Sequence, residues 1–243
     1  MTSAKSDNDL SDRQLTAVPT GVWQNASLRV LNLFRNELTS LPAGIAQLKE
    51  LRVLIVANNR LGALPEELGA LRRLRMLDAG HNLIAELPRS FGKLTSITDY
   101  LYLHDNRLQA LSDSIFENFL HLRYLNLCEN PLRGLPASVG ALVKLEELRL
   151  ENIGLEILPG FLANLSVLDE LALRNNRLAS LPDSFAKLRK LRHLDLRGNR
   201  FTRVPEVLRG LKRLHKLDLR WNDLGRLPSW LTELRARGCR VLL

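Results

Sequence analysis

The chain has 243 residues, 45% of them hydrophobic, and its 35 Lys and Arg against 26 Asp and Glu leave a formal charge of +9. That apolar content excludes a disordered chain, and no stretch approaches the roughly 18 uninterrupted apolar residues of a membrane helix. Two cysteines, Cys128 and Cys239, are too few for a disulfide framework or a four-thiolate zinc site. The polar start over residues 1–14 lacks the apolar run of a secretory signal, so the expected location is the cytoplasm, with export as a secreted effector left open. Leucine is the outlier: 57 residues, against 5% aromatics, ask for a repeat.

Taken in chain order, residues 1–9 read as a flexible N-terminus. Leu10 to Pro19 reads as half a repeat, with Arg13 where later repeats carry Asn, so residues 10–27 are the expected N-terminal cap. Residues 28–227 hold nine repeats. Prolines at 19, 42, 65, 88, 136, 159, 182, 205 and 228 are spaced by 23 except for one gap of 48, and Ser112 stands at the midpoint of that gap. A second mark keeps the same step: Asn36, Asn59, Asn82, Asn106, Asn130, Asn176, Asn199 and Asn222, with Ile153 in the slot that lacks Asn. Between the marks runs LxxLxLxxNxL. In each LxL, as in Leu31-Asn32-Leu33, both leucines share one face of a strand and the residue between points outward, so a short parallel strand is expected per repeat. The Asn side chains are expected to stack as an internal ladder that pairs otherwise buried backbone groups. The Leu-Pro step stops regular helix, leaving a looser convex side.

The irregularities carry expectations of their own. An extra residue between Ile97 and Leu101 predicts a bulge where that strand starts, and another between Ser112 and Leu122 lengthens the convex side with Ile115, Phe116 and Phe119. Ile153 predicts a local adjustment in the Asn ladder. Residues 228–243 close the last repeat and supply a C-terminal cap, with Trp230, Leu231 and Leu234 followed by a final strand whose exposed edge could pair with a second chain. The monomer is the expected state.

The serial LxxLxLxxNxL pattern resembles the leucine-rich repeat family over nearly the whole chain from Leu10 onward. The 23-residue repeats with Leu-Pro are similar to those of Ras-suppressor and plant intracellular Ras-group leucine-rich repeat proteins. The resemblance implies an α/β repeat fold, a right-handed solenoid with a parallel concave sheet and an irregular or helical convex side. It also implies a scaffold or signalling role, and the 27 Arg against 8 Lys point to a GC-rich bacterial source. Bacterial effector ubiquitin ligases of this broad family carry their catalytic cysteine in a separate helical domain, for which this chain has no room.

No phosphate loop, HExxH, GxSxG or paired CxxC is present, so no catalytic residue, metal or cofactor is expected. His81, His104, His121, His193 and His215 read as solvated or structural, and Cys128, beside Glu129, as unreactive. The outward positions define a surface in three zones. Val30, Phe34, Val53, Ile55, Met76, Tyr100, Tyr102 and Tyr124 form an apolar and aromatic patch that predicts a protein or peptide partner. Glu129, Glu146, Glu147, Glu151, Asp169 and Glu170 make an acidic zone. Arg174, Arg197 and Arg220 form a column beside Asp195 and Asp218, next to Trp221, which reads either as a salt-bridge ladder or as an anion-binding row. Residues 187–243 hold 16 Lys and Arg against 5 Asp and Glu, net +11, while residues 1–186 hold 19 against 21, net −2. The alternative functions are therefore the recognition part of an effector or multidomain kinase or ligase, and an anion binder acting through the basic C-terminal repeats. Nucleic acid and membrane are disfavoured as partners because no motif or anchor for either is present.

Overall fold

The computed structural model describes residues 7–243. Eleven three-residue strands follow one another through the described residues: β1 (Asp7–Asp9), β2 (Val30–Asn32), β3 (Val53–Ile55), β4 (Met76–Asp78), β5 (Tyr100–Tyr102), β6 (Tyr124–Asn126), β7 (Glu147–Arg149), β8 (Glu170–Ala172), β9 (His193–Asp195), β10 (Lys216–Asp218) and β11 (Arg240–Leu242). They form one sheet in sequence order, every neighbour parallel. The leucines set the register. Leu31, Leu54, Leu77 and Leu101 pair in line from β2 to β5 and are fully buried, as are Leu33, Val56, Ala79 and Leu103 two residues on. One continuous core thus runs under the sheet, and no repeat closes it alone. Among the described residues, no helix is long and apolar enough to cross a membrane.

The N-terminal boundary differs from the expected one. Asp7–Asp9, read from sequence as part of a flexible N-terminus, pair with β2, and residues 1–6 of that segment lie outside the described residues. The polar Asp-Asn-Asp sequence hid a strand because it is an edge strand: its role is to satisfy the backbone of β2, and charged residues suit an edge. Leu10 and Asp12 continue the pairing through their N–H groups to the carbonyls of Asn32 and Phe34.

On the opposite side, proline opens helix where the sequence reading had it stop one. Eight repeats carry a five-residue 3-10 helix directly after Pro19, Pro42, Pro65, Pro88, Pro136, Pro159, Pro182 or Pro205. The proline carbonyl accepts the first N–H, as from Ile45 to Pro42 at 3.1 Å, and lacking an N–H costs nothing just ahead of a helix start. Ser112 still accepts from Ile115 at 3.0 Å. The longer repeat there runs on through turns, with Ile115, Phe116 and Phe119 buried. Before β5 the extra residue is taken up as a bend at Asp99, where Thr98 and Asp99 both donate to the Arg75 carbonyl.

The Asn side chains sit between adjacent turns. Asn59 donates to the carbonyls of Leu33 and Val56 at 2.9 and 3.0 Å and accepts from Leu38 N–H at 3.0 Å. Asn82, Asn106, Asn130, Asn176, Asn199 and Asn222 repeat this arrangement, and Asn36 begins it against Leu10. At Ile153, Leu132 N–H turns instead to the carbonyl of Asn130 at 2.9 Å. Asn176 then accepts from two N–H groups, those of Ile153 and Leu155. Asn36 does the same for Arg13 and Leu15, so both slots without Asn are bridged by the next one along. The residue before each ladder position has a positive φ, from Arg35 (51°) through His81 (51°) to Trp221 (62°). At the C-terminal end α1 (Leu231–Ala236) buries Leu231 and Leu234 and leads into β11.

The open face of the sheet as candidate functional site

Because strand side chains alternate, the first and third residues of each strand, with the second residue after it, face away from the core. Cross-strand register places Val30, Val53, Met76, Tyr100 and Tyr124 side by side, and likewise Asn32, Ile55, Asp78, Tyr102 and Asn126. Phe34 extends this face past β2. Tyr100 is 46% exposed, and the other residues of the expected apolar patch are half-buried against one another. The three tyrosines close into a triad, with ring centroids 5.9 Å apart for Tyr100 and Tyr102, 5.6 Å for Tyr100 and Tyr124, and 4.8 Å for Tyr102 and Tyr124. Burial pushes the hydroxyl pKa of Tyr102 and of Tyr124 up. His104 sets its ring edge-on to Tyr102 and to His81, over Gly80, where a Cβ would stand 2.3 Å from the imidazole.

The acidic zone is closed by cations that sequence reading did not single out. Arg123 holds Glu146 through two bonds of 3.0 and 2.8 Å, Arg192 holds both oxygens of Asp169, and Arg149 lies 2.6 Å from Glu147 and 3.7 Å from Glu151. Glu170 meets His193 Nδ1 at 2.7 Å and Glu129 accepts from Asn152. The signal was present in the sequence, since Arg123 and Glu146 or Asp169 and Arg192 stand 23 residues apart and so occupy neighbouring repeats.

Of the arginine column, Arg197 and Arg220 grip Asp195 and Asp218 within their own repeats, and only the 3.5 Å contact from Arg197 to Asp218 is lateral. Arg174 stands apart: its Nε is buried with no acceptor among the described residues. Trp221, 68% exposed, meets both paired guanidinium groups, whose carbons are 5.8 and 5.6 Å from the centroid of its ring. A left-handed backbone costs a bulky residue about 1–2 kcal/mol, and these cation–π contacts offset part of it.

Nucleophile chemistry has little to work with on this face. Cys128 is buried with its thiol on the Glu151 carboxylate; burial first, then the charge and hydrogen bond of Glu151, push its pKa well above that of a free thiol. Asp169, Glu170 and His193 bring ligand atoms within 4.8 Å of one another, yet Asp169 is committed to Arg192 and Glu170 to His193.

A family model described as Leucine rich repeat matches residues 96–152, 156–201 and 166–224, and a second of the same description matches residues 27–48 and 213–240. No curated protein matches the chain. Among solved structures, a leucine-rich repeat protein of Leptospira interrogans is 30% identical with a TM-score of 0.89 over 96% of this chain and 64% of that one. The Arabidopsis receptor kinase HAESA, solved with the peptide hormone IDA and a co-receptor, is 26% identical with a TM-score of 0.74 over 91% of this chain and 38% of that one. The leucine-rich repeat domain of the type III effector XopL is 26% identical with a TM-score of 0.72 over 98% and 76%. The chain thus spans less than two thirds of the length of the first two.

Proposed function

The chain belongs to the leucine-rich repeat family, and on that premise we propose that it is a non-catalytic interaction module that takes a protein or peptide on the open, concave face of β2–β6. The observation that carries this reading is the tyrosine triad set among Val30, Val53, Ile55 and Met76. Aromatic side chains and Met are what interface cores are built from, and a contiguous apolar patch of this kind marks a contact site. A peptide bound to HAESA supports the kind of partner. Anion capture by the arginine column is less well supported, because Arg197 and Arg220 already spend two donor atoms each on Asp195 and Asp218.

The test is selection of a random twelve-residue peptide display library on the immobilised chain, in parallel with a Tyr100→Ser/Tyr102→Ser variant of unchanged thermal unfolding. Peptides retained by the native chain and lost from the variant are the expected result. Retention that ignores the tyrosines, or no retained peptide at all, rejects the assignment.

A further inference from the structure

Six strands of the sheet end on Asn or Asp: Asp9, Asn32, Asp78, Asn126, Asp195 and Asp218. In each, the side-chain Oδ1 accepts the backbone N–H two residues on, at 3.0 Å from Ser11, 3.1 Å from Phe34, 3.1 Å from Gly80, 3.0 Å from Cys128, 3.1 Å from Arg197 and 3.3 Å from Arg220. The amide oxygen does this as well as the carboxylate, so a negative charge at the position is surplus to the turn. Asp195 and Asp218 use their charge on Arg197 and Arg220. Asp78 has Gly80 at the equivalent place, and a side chain there is excluded by the imidazole of His104.

Asp78 consequently has no cationic partner among the described residues, and it is the single charged residue at the first and third positions of β2–β6. The titratable groups around it are His81, His104 and Tyr102. Burial, then His81, push the His104 pKa down, so that ring is neutral near pH 7 and supplies no counter-charge. The carboxylate is half-buried between Ile55 and Tyr102 on the adjacent strands. A partly desolvated carboxylate without a cation is costly in the free protein, and the cost is recovered when a cation arrives.

We propose that Asp78 receives a basic side chain, Arg or Lys, from an otherwise apolar peptide segment seated on β2–β6. This rests on the function proposed above and adds the chemistry of the occupant. The apolar stem of Arg or Lys packs along Ile55 and Met76 while its head reaches the carboxylate, and the neighbouring face of Tyr102 favours a cation as well. Acidic segments are rejected by the same charge.

The display selection described above tests this with two further variants. Asp78→Asn keeps the Oδ1 acceptor that Asn32 and Asn126 supply at the same position, and so removes charge alone; Asp78→Lys reverses it. Tyrosine-dependent peptides selected by the native chain are expected to be enriched in Arg or Lys flanked by apolar residues. A synthetic peptide of the consensus should bind Asp78→Asn about tenfold more weakly, and Asp78→Lys should select acidic peptides in place of basic ones. Tyrosine-dependent peptides without basic enrichment, or equal binding by Asp78→Asn, overturn the role of Asp78 and leave the concave-face reading standing. Absence of any tyrosine-dependent peptide overturns both.

Discussion

The two halves of the open face rest on the same leucine core and the same Asn ladder, yet they treat charge in opposite ways. Along β2–β6 the outward strand positions are apolar, aromatic or amide with Asp78 as the lone charge, and it is unpaired. Along β7–β10, seven of the eight such positions are charged or titratable, from Glu147 to Asp218, and six of them are engaged, Glu147 with Arg149, Glu170 with His193, Asp195 with Arg197 and Asp218 with Arg220. A face whose charges satisfy each other has little left for a partner, whereas an apolar face with one open carboxylate has a defined demand. The +11 of residues 187–243 therefore says less about the face than its size suggests. Much of it sits on exposed side chains away from the strands, such as Arg200, Arg203, Lys212, Arg213 and Arg226.

The largest expected effect probes what the halves share. Asn106→Ala strands the N–H of Ile84 and leaves the carbonyls of Ala79 and Leu103 to Asn82 and Asn130, which also donate to them; Asn176→Ala strands the carbonyl of Leu150 and the N–H groups of Ile153 and Leu155, while Leu173 keeps Asn199. At about 1–3 kcal/mol for each unsatisfied buried group, relieved in part by water, Asn176→Ala should cost about 3 kcal/mol or more and Asn106→Ala about 1–3 kcal/mol. Urea unfolding should show both losses in one transition, the Asn176 loss the larger. A second transition, or a cost confined to one variant, would mean that the halves unfold as separate units.

A smaller effect separates the halves through two aspartates at the same repeat position. Burial pushes the Asp78 pKa up, outweighing the Gly80 hydrogen bond and the two histidines. At Asp218, 1% exposed, burial also acts upward, but the Arg220 side-chain and backbone bonds and the nearby arginine charges prevail and hold the pKa below the usual carboxylate value. The signs follow. Asp78 binds its proton more tightly folded than unfolded, so its contribution to stability falls as pH rises through the unfolded value near 3.9 and on through the folded one. Asp218 contributes stability that is full above the unfolded value and is lost as pH falls through its depressed folded pKa. At pH 7, Asp218→Asn should destabilise by about 1–3 kcal/mol and Asp78→Asn should stabilise by up to about 1 kcal/mol. Both differences should shrink toward pH 3, as thermal unfolding across that range will register; shifts of the same sign for the two variants would contradict the paired-versus-open distinction.

Why the sequence showed the ladder and hid this distinction has a physical answer. Leucine, proline and Asn recur at fixed steps because each answers to its own neighbour one repeat away, so periodicity alone finds the strands and the turns. The edge strand Asp7–Asp9 and the left-handed residue before each Asn answer to backbone geometry with no residue type required; Arg35, His81, Glu129 and Trp221 share that conformation. The outward columns placed the tyrosines together correctly in register, but the column map alone did not say which charges close on each other. That depends on reach: Arg197 bends back onto Asp195, while at Gly80 the ring of His104, from the next repeat, fills the space in which a partner for Asp78 would have stood.

The smallest expected change lies at the boundary of the halves, where Cys128 follows β6 and touches Glu151. The thiolate is the reactive form, and burial together with the adjacent carboxylate holds the thiol protonated. Iodoacetamide at pH 8 should therefore label Cys128 far more slowly in the folded chain than in urea. Glu151→Gln removes the neighbouring charge, weakens the hydrogen bond and leaves burial in place, so labelling should rise several-fold with almost no change in stability, the Arg149 contact at 3.7 Å being long. If Cys128 in the native chain is labelled as fast as the unfolded thiol, the seam between the aromatic and charged zones opens in solution, and the partner surface is then wider than the triad and Asp78.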